Sequence, residues 1–473
     1  MNMLDQIRAA IGADAVLTGS DMDRWCQDWT GQYISQPIAV LRPRHTQHVS
    51  QIMKIAVATQ TSVVPVSGNT GLNGGAHAID ALMVSLDRMN TIETIDTAGR
   101  TATVGAGVIL SNLHDAAGAD DLIFPLTFGA RGSAMIGGVL STNAGGSNVL
   151  RYGNTRDLVL GIEVVMANGN IMNLMGALHK DNAGLNLKHL MIGAEGTLGI
   201  ITRAVVKLFP KPQAYATAMV AVASLDDALT LLHAVQEATG QSVEAFEYMP
   251  RAYIDGHLKT VAGARPPFDD TYDVNILIEV GATAPRDAQP LPDGSVPITS
   301  LLEATLGEML DTGGVLDAVV AQNDTQRAQM WARREAAAEI AFAKRPFVDT
   351  DIAVALPDVA VFLDRMTARL ATLDPTATEL VVAHLGDGNI HYTAYPSRDD
   401  DTLKSAIRSA VEDEVQALAG SFSAEHGVGL SKLATMQRRK DKTALTTMRA
   451  IKTALDPQGI LNPGKTIPHG DIV

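Results

Sequence analysis

Three glycine-dense segments, each beside a strand-like run, constrain the fold of this chain more than any other feature. The first is Val64-Pro65-Val66-Ser67-Gly68-Asn69-Thr70-Gly71-Leu72-Asn73-Gly74-Gly75, entered from the run Ser62–Val66. Small residues let a backbone approach an anion closely, and successive N–H groups form a nest for phosphate. It is not a Walker loop, because no Lys-Ser/Thr follows the glycines, and it is not a GxGxxG opening a Rossmann helix. Taken alone, an ordinary glycine-rich turn is an equal alternative. The second segment, Gly129-Ala130-Arg131-Gly132-Ser133-Ala134-Met135-Ile136-Gly137-Gly138, continues through Ser141-Thr142-Asn143-Ala144-Gly145-Gly146 to Tyr152-Gly153. Paired glycines at this density suggest backbone packed flush against a flat ligand. The third, Ile192-Gly193-Ala194-Glu195-Gly196-Thr197-Leu198-Gly199-Ile200-Ile201-Thr202, reads as a turn leading into a strand.

The rest of the pattern is mixed. At 473 residues the chain exceeds a single hydrophobic core, so about two or three domains are expected. Residues 1–35 read as one or two short helices with an aromatic cluster of Trp25, Trp29 and Tyr33. Strands are expected at Ile38–Arg42, Ser62–Val66, Ala81–Ser85, Thr101–Gly105 and Leu158–Met166. A helix that Thr46 could cap carries Val49, Ile52, Met53, Ile55 and Ala56 on one face, and a second follows around Leu110–Ala117. After Pro212, helices such as Leu225–Thr239 alternate with strands such as Val274–Val280, an α+β texture. The Pro-rich stretch Pro285–Pro297 reads as a surface loop.

Charge excludes one class of function. Lys+Arg is 37 and Asp+Glu is 52, a formal charge of −15, which lacks the basic footprint of a nucleic-acid binder. A local basic pocket for an anionic substrate remains compatible with that total. The lone Cys26 can form neither an internal disulfide nor a cysteine-based metal site, and a cytoplasmic location fits. The N-terminus carries acids early and has no long apolar run, so neither a signal peptide nor a membrane span is expected, while peripheral docking at the inner membrane stays open.

Two histidine segments suggest a metal. Val381-Val382-Ala383-His384-Leu385-Gly386-Asp387-Gly388-Asn389-Ile390-His391-Tyr392 reads as strand, Asp-Gly turn, strand, so His384 and His391 flank a hairpin loop. By themselves two histidines are more often surface or core residues. Phe422-Ser423-Ala424-Glu425-His426-Gly427-Val428-Gly429 adds a carboxylate and a further imidazole. His384, His391 and Glu425 would give two imidazoles and a carboxylate with open positions, as catalytic zinc sites have. His426, beside them, is a natural general base. Trp331-Ala332-Arg333-Arg334-Glu335 lies on an expected helix, where an arginine can clasp a carboxylate in a two-pronged way; a solvated helix charge is the plainer reading and is preferred for Arg333.

In this order and at these distances, the three glycine segments resemble the PCMH-type FAD domain of the vanillyl-alcohol-oxidase-like flavoprotein superfamily, over residues of about 35–212. The histidine segments, with Asp456-Pro457-Gln458-Gly459-Ile460-Leu461-Asn462-Pro463-Gly464-Lys465, resemble the C-terminal domain of FAD-linked oxidases. That group includes D-lactate and D-2-hydroxyglutarate dehydrogenases and the flavin subunit of glycolate oxidase. The resemblance implies an α+β fold: an FAD-binding domain of two α/β subdomains, an α+β substrate (cap) domain, and a C-terminal helical segment returning to the flavin. The implied boundaries are 1–35, 36–212, 213–425 and 426–473. It implies FAD held by Pro65, Ser67, Gly68, Asn69, Thr70, Gly71, Leu72, Thr127, Gly132, Ser133, Gly137, Gly138, Asn143, Gly145, Gly146, Glu195, Gly196, Ile200, Ile201 and Asn462. No His or Cys stands in the first loop, so the flavin is expected to be non-covalent.

For the chemistry, the resemblance implies that a 2-hydroxy acid chelates a divalent metal, Zn2+ by preference, at His384, His391 and Glu425. Arg334 holds the substrate carboxylate, His426 takes the hydroxyl proton, and hydride passes to FAD. Electron-transfer flavoprotein or a quinone would then accept the electrons, and a homodimer is the base-rate expectation. Positions where dicarboxylate-oxidising relatives carry Thr, Lys and Asn fall on Ala338, Asp349 and Thr393, which adds weight to monocarboxylates and leaves D-2-hydroxyglutarate, D-lactate and related D-2-hydroxy acids all open as the substrate. The competing readings are a non-catalytic FAD-binding subunit of a larger complex and a flavin-free metal-dependent hydrolase. The first lacks a reason for His384, His391, Glu425 and His426, and the second leaves the glycine segments unexplained.

Overall fold

The computed structural model describes residues 2–470. The chain divides into two compact units: Met1–Gly145 with Asn154–Pro210 and Glu425–Val473, and Gly146–Gly153 with Lys211–Ala424.

Strands of the first unit are β1 (Val16–Leu17), β2 (Ala39–Leu41), β3 (Val63–Val66), β4 (Leu82–Ser85), β5 (Ile92–Asp96), β6 (Thr101–Gly105), the short β7 (Leu122–Ile123), β8 (Val159–Met166), β9 (Ile171–Leu174), β10 (Gly199–Lys207) and the short β11 (Phe209–Pro210). A four-stranded sheet has the order β1-β2-β4-β3, with β2, β4 and β3 parallel. Those strands are continuous apolar runs because parallel strands are covered on both faces. The crossover helix Thr46–Thr59 buries Val49, Ile52, Met53 and Ala56 against them. Its N-cap is His45, not Thr46: the Thr46 hydroxyl is turned inward and donates to Glu163 at 2.5 Å. A five-stranded antiparallel sheet has the order β5-β6-β10-β8-β9, and β7 pairs with β11. Strand β5, Ile-Glu-Thr-Ile-Asp, is an exposed edge strand that the sequence pattern did not single out. The chain's C-terminal segment lies alongside β3, where Val63 N donates to Ile460 O and Asn462 N to Val63 O, each at 2.8 Å.

The second unit is a seven-stranded antiparallel sheet. Its strands are β12 (Ala214–Val222), β13 (Val243–Pro250), β14 (Val274–Ala282), β15 (Asp317–Val320), β16 (Val348–Ala353), β17 (Thr378–His384) and β18 (Asn389–Tyr395), in the order β15-β12-β14-β13-β17-β18-β16. Side chains alternate between faces. Even-numbered positions such as Phe246, Ile276, Ile278, Ile390 and Tyr392 form one face, a core with Leu231, Leu302, Phe362, Met366 and Ile407 from helices Leu225–Ala238, Pro297–Asp311, Val359–Leu373 and Asp401–Ala417. Odd positions on β12 to β14 with even positions on β17, including Met219, Met249, Leu277, Leu380 and Val382, face the other way against Tyr253, Met330 and Ile340. Two local expectations change. Within Pro285–Pro297 the short helix Pro285–Ala288 forms, and Pro297 opens a further helix because its fixed φ suits a first helical turn. Gly146–Gly153, read from sequence as part of the FAD-binding domain, packs into the second unit: Arg151 donates to Glu244 and to Gly281 O, and Tyr152 donates to Glu244, each at 2.8 Å. Among the described residues, no helix is long and apolar enough to cross a membrane.

Candidate functional site

In the first unit the three glycine segments converge. A Cβ on Gly68 would lie 2.2 Å from Ser133 O, so the first and second segments touch backbone to backbone and only glycine fits. A Cβ on Gly137 would meet Ala106 Cβ at 2.8 Å and Ser67 Oγ at 3.2 Å, and one on Gly138 would meet Ser67 Cβ at 3.1 Å. Pro65 packs on Gly196, where a Cβ would come within 2.4 Å of the proline ring. Asn143 ends helix Ile136–Thr142 in the left-handed region and accepts from Arg156 N at 2.9 Å. Arg156 in turn donates to Ile192 O at 2.7 Å, tying the second segment to the third. Asn69 is left-handed and donates to Gln27 O at 2.9 Å. Thr70 and Leu72 are half-buried in the first loop, Thr127 is half-buried ahead of the second segment, and Ile200 and Ile201 are buried on β10. Gly146, grouped with these in the sequence, falls in the second unit.

Glu195 and Asn73 bring in the Glu425–Gly429 loop. The buried Glu195 carboxylate accepts from Val428 N and Gly429 N, each at 2.8 Å. Burial pushes its carboxyl up, against the pull of those two N–H groups. The Asn73 side chain donates to His426 O at 2.9 Å and Gly427 O at 2.7 Å. A Cβ on Gly145 would stand 2.8 Å from a Glu425 carboxylate oxygen, so a larger residue there would push on the Glu425 side chain. Asn462 is 1% exposed and donates to Gly75 O at 3.0 Å and Glu195 O at 2.7 Å. Its Oδ1 is buried with no protein partner. By contrast, Gly71 and Gly132 have no protein atom within 4 Å of a would-be Cβ, so no protein contact demands glycine at either. An orphaned amide oxygen and open glycines on a tightly bonded backbone fit a flat, polar cofactor. Asn73 had no role in the sequence reading, although it lies inside the first segment.

In the second unit a polar cluster interrupts the apolar face of the sheet. β17 and β18 form the expected hairpin, and Gly388 is left-handed in its turn. His384 and His391 project from the same face with ring centroids 5.5 Å apart, and one nitrogen of each lies within 4.8 Å of the other. His384 Nδ1 hydrogen-bonds Glu247 Oε1 at 2.7 Å, and Glu247 Oε2 accepts from Arg334 Nε at 2.6 Å. Arg334 Nη2 stands 3.4 Å from His384 Nε2. Burial works to raise the Glu247 carboxyl, but the His384 and Arg334 charges and hydrogen bonds outweigh it and hold it below the usual carboxylate range. An ionised Glu247 keeps the proton on Nδ1 and leaves Nε2 as the lone-pair donor. That carboxylate–imidazole arrangement is the one that supports metal-binding histidines. The donor set therefore fits a metal.

Across the strand pair, Asp351 lies opposite His391 and accepts from Asn389 at 3.0 Å, while Asp349 accepts from Thr393 at 2.8 Å. Ala424, whose N–H donates to Asp351 O at 3.4 Å, is followed directly by Glu425. Arg333 is not the solvated charge expected from sequence. It is 8% exposed and donates to Arg265 O at 3.0 Å, because the C-terminal end of helix Asp324–Glu335 is buried where Tyr253 OH caps the Arg333 and Arg334 carbonyls. Burial pushes its guanidinium pKa down. Glu247 gave no sequence signal: it sits on a strand 137 residues from His384.

Two family models match the chain: an FAD binding domain over residues 37–175 and FAD linked oxidases, C-terminal domain, over residues 211–466. The chain is 35% identical over 444 residues to the mitochondrial D-2-hydroxyglutarate dehydrogenase of Arabidopsis thaliana, spanning 93% of this chain and 77% of that one. It is 34% identical over 462 residues to the D-2-hydroxyglutarate dehydrogenase of Xanthomonas citri pv. viticola, spanning 96% and 94%. Among solved structures, 4-ethylphenol oxidase from Gulosibacter chungangensis, in its isoeugenol complex, is similar with a TM-score of 0.72 at 18% identity, spanning 100% of this chain and 98% of that one. At that identity the likeness concerns the fold.

Proposed function

The chain belongs to the FAD-linked oxidases, and from that premise we propose that it is an FAD-dependent dehydrogenase converting a D-2-hydroxy acid to the 2-oxo acid. One observation carries the reading furthest. Glu247, His384 and His391 on neighbouring strands meet Arg334 from the helix packed over that face of the sheet. That combines metal-binding imidazoles with a carboxylate-binding cation, which together match the two functional ends of a 2-hydroxy acid.

The residues divide the work as follows. Pro65, Ser67, Gly68, Asn69, Thr70, Gly71, Leu72, Thr127, Gly132, Ser133, Gly137, Gly138, Asn143, Gly145, Gly146, Glu195, Gly196, Ile200, Ile201 and Asn462 would hold FAD without a covalent link, and His384, His391 and Glu425 would hold a divalent ion, zinc by the mix of nitrogen and carboxylate donors. When bound, FAD supplies the hydride acceptor and the ion supplies Lewis acidity at the substrate hydroxyl. Glu247 fixes the His384 tautomer and presses on the Nε edge of Arg334, leaving the far side of the guanidinium for the substrate carboxylate. His426 accepts the hydroxyl proton on its imidazole; its main-chain carbonyl is pinned by Asn73, which limits the positions its ring can take. Electron-transfer flavoprotein or a quinone takes the electrons. Asp349, paired with Thr393 on the same face as His391, disfavours a second substrate carboxylate, so monocarboxylates such as D-lactate are expected to outperform D-2-hydroxyglutarate.

The test is the visible spectrum of the purified protein, followed by anaerobic addition of D- and L-2-hydroxy acids after zinc loading. Bleaching of a flavin spectrum by a D-enantiomer alone supports the proposal. A flavin that no 2-hydroxy acid reduces would favour the non-catalytic subunit. A colourless protein that takes up no added FAD would overturn the reading.

A further inference from the structure

A buried ammonium needs a counter-charge, and the first unit holds one whose partner the chain does not supply. Lys465 is 6% exposed in the turn that runs from Asn462 to Thr466. Its ammonium donates to one acceptor, Pro463 O at 3.2 Å. Among the described residues no carboxylate forms an ion pair with it, and burial lowers its pKa to about 8 with no opposing attraction. Lys452, also in the first unit, shows what a satisfied lysine looks like here: it donates to Thr197 O, Leu461 O and the Asp456 carboxylate at 2.7, 2.7 and 2.5 Å.

The turn carrying Lys465 is fastened to the cradle at both ends. Asn462 donates to Gly75 O and Glu195 O, joining the first and third glycine segments. Thr466 N donates to Gly429 O at 3.0 Å, beside the loop that Glu195 clamps. The Lys465 charge reaches His77, two residues beyond Gly75: burial first, and then this cation, hold the His77 imidazole pKa down. A fixed cation is thus brought, with little freedom to swing away, to the meeting point of the loops that fit a flavin nucleotide.

We propose that Lys465 is the cation this unit reserves for the negative charge of its cofactor. The inference rests on the FAD reading and adds a residue to it. FAD offers that charge in two places, the diphosphate and the two-electron-reduced ring.

The experiment compares wild type, Lys465→Met, Lys465→Gln and Lys465→Arg. Dissociation constants of the apoproteins for FAD and for ADP are measured by titration, and the midpoint potential of the bound flavin by dye equilibration. Met and Gln should lower either the affinity for FAD or the midpoint potential, by about tenfold in the corresponding equilibrium constant, and Arg should restore most of it. If the partner is the diphosphate, ADP weakens in parallel and the potential stays put. If it is the reduced ring, ADP is unaffected and the potential falls, a tenfold preferential loss of the reduced form corresponding to about 30 mV. Wild-type affinities and potential in both folded Met and Gln variants would overturn the proposal. A wild type that binds no FAD would instead overturn the functional reading beneath it.

Discussion

Replacing Glu247 by Gln exchanges one carboxylate oxygen for an amide nitrogen in a fully buried side chain, and it should disable the polar cluster of the second unit. Oε1 accepts from His384 Nδ1 at 2.7 Å and Oε2 from Arg334 Nε at 2.6 Å. Hydrogen bonds to a charged group contribute about 1.5–3 kcal/mol each. A glutamine cannot accept at both positions. With its NH2 toward Arg334, two donors oppose each other and the guanidinium is buried beside a neutral amide. With its NH2 toward His384, Nδ1 must accept and the proton moves to Nε2, the proposed metal-ligating atom. Breaking a buried pair by removing one charge costs about 3–5 kcal/mol, and losing a partner of this kind lowers metal affinity about 10–100-fold. Acid dependence should change too. Because the folded carboxyl is held below its ordinary value, its contribution is complete above the unfolded pKa and is lost as pH falls through the folded one; the variant should lack that acid limb. Zinc stoichiometry against a chelator-buffered series and urea unfolding by circular dichroism read the two effects. Wild-type zinc affinity in Glu247→Gln would refute the idea that Glu247 sets the His384 tautomer, and unchanged stability would refute the energetic account.

Other perturbations separate the remaining roles. His426→Ala should retain FAD and abolish turnover, and turnover near wild type would remove it as the base. Gly68→Ala forces a methyl to 2.2 Å from Ser133 O and should destabilise the first unit and lose FAD together. Gly132→Ala meets no protein atom within 4 Å, so its melting temperature as apoprotein should match wild type while FAD affinity falls. For the apoprotein, burial brings the Lys465 ammonium from its ordinary pKa of 10.5 down to about 8, so the unfolded state binds more protons between those values. Stability attributable to Lys465 should therefore rise by up to about 3 kcal/mol from pH 8 to 10.5. The stability gap between wild type and Lys465→Met, followed in urea, should close over that window; a gap independent of pH would contradict it.

What could be read in the sequence was local. The Asp387-Gly388 turn fixes the hairpin, and with it the placement of His384 and His391 on one face. The strand runs into the glycine segments likewise announce themselves through β-branched residues and turn chemistry. The structure adds why the segments belong together: Gly68 and Gly137 are places where backbones from distant parts of the chain touch. Glu247 was invisible because a lone glutamate on an apolar strand looks like a solvent-facing residue until β13 is known to pair with β17. Arg333 was misread for a related reason, since the burial of a helix end depends on the Tyr253 hydroxyl that caps it. Gly146–Gly153 leaves the first unit through contacts to Glu244, a residue more than ninety positions away from Tyr152.

Strands β16, β17 and β18 divide their labour by parity. Val348, Ile352, Val381, Ala383, Ile390 and Tyr392 build a helix-covered core, while Asp349, Asp351, His384, His391 and Thr393 occupy the alternate positions. Tolerance to substitution should therefore be striped along each strand, residue by residue. Substrate preference can drift by exchanges at polar members of one set of stripes, such as Asp349 and Thr393, while the helix-covered core on the other set is left intact. A lineage of such proteins would acquire new acids without first acquiring new stability.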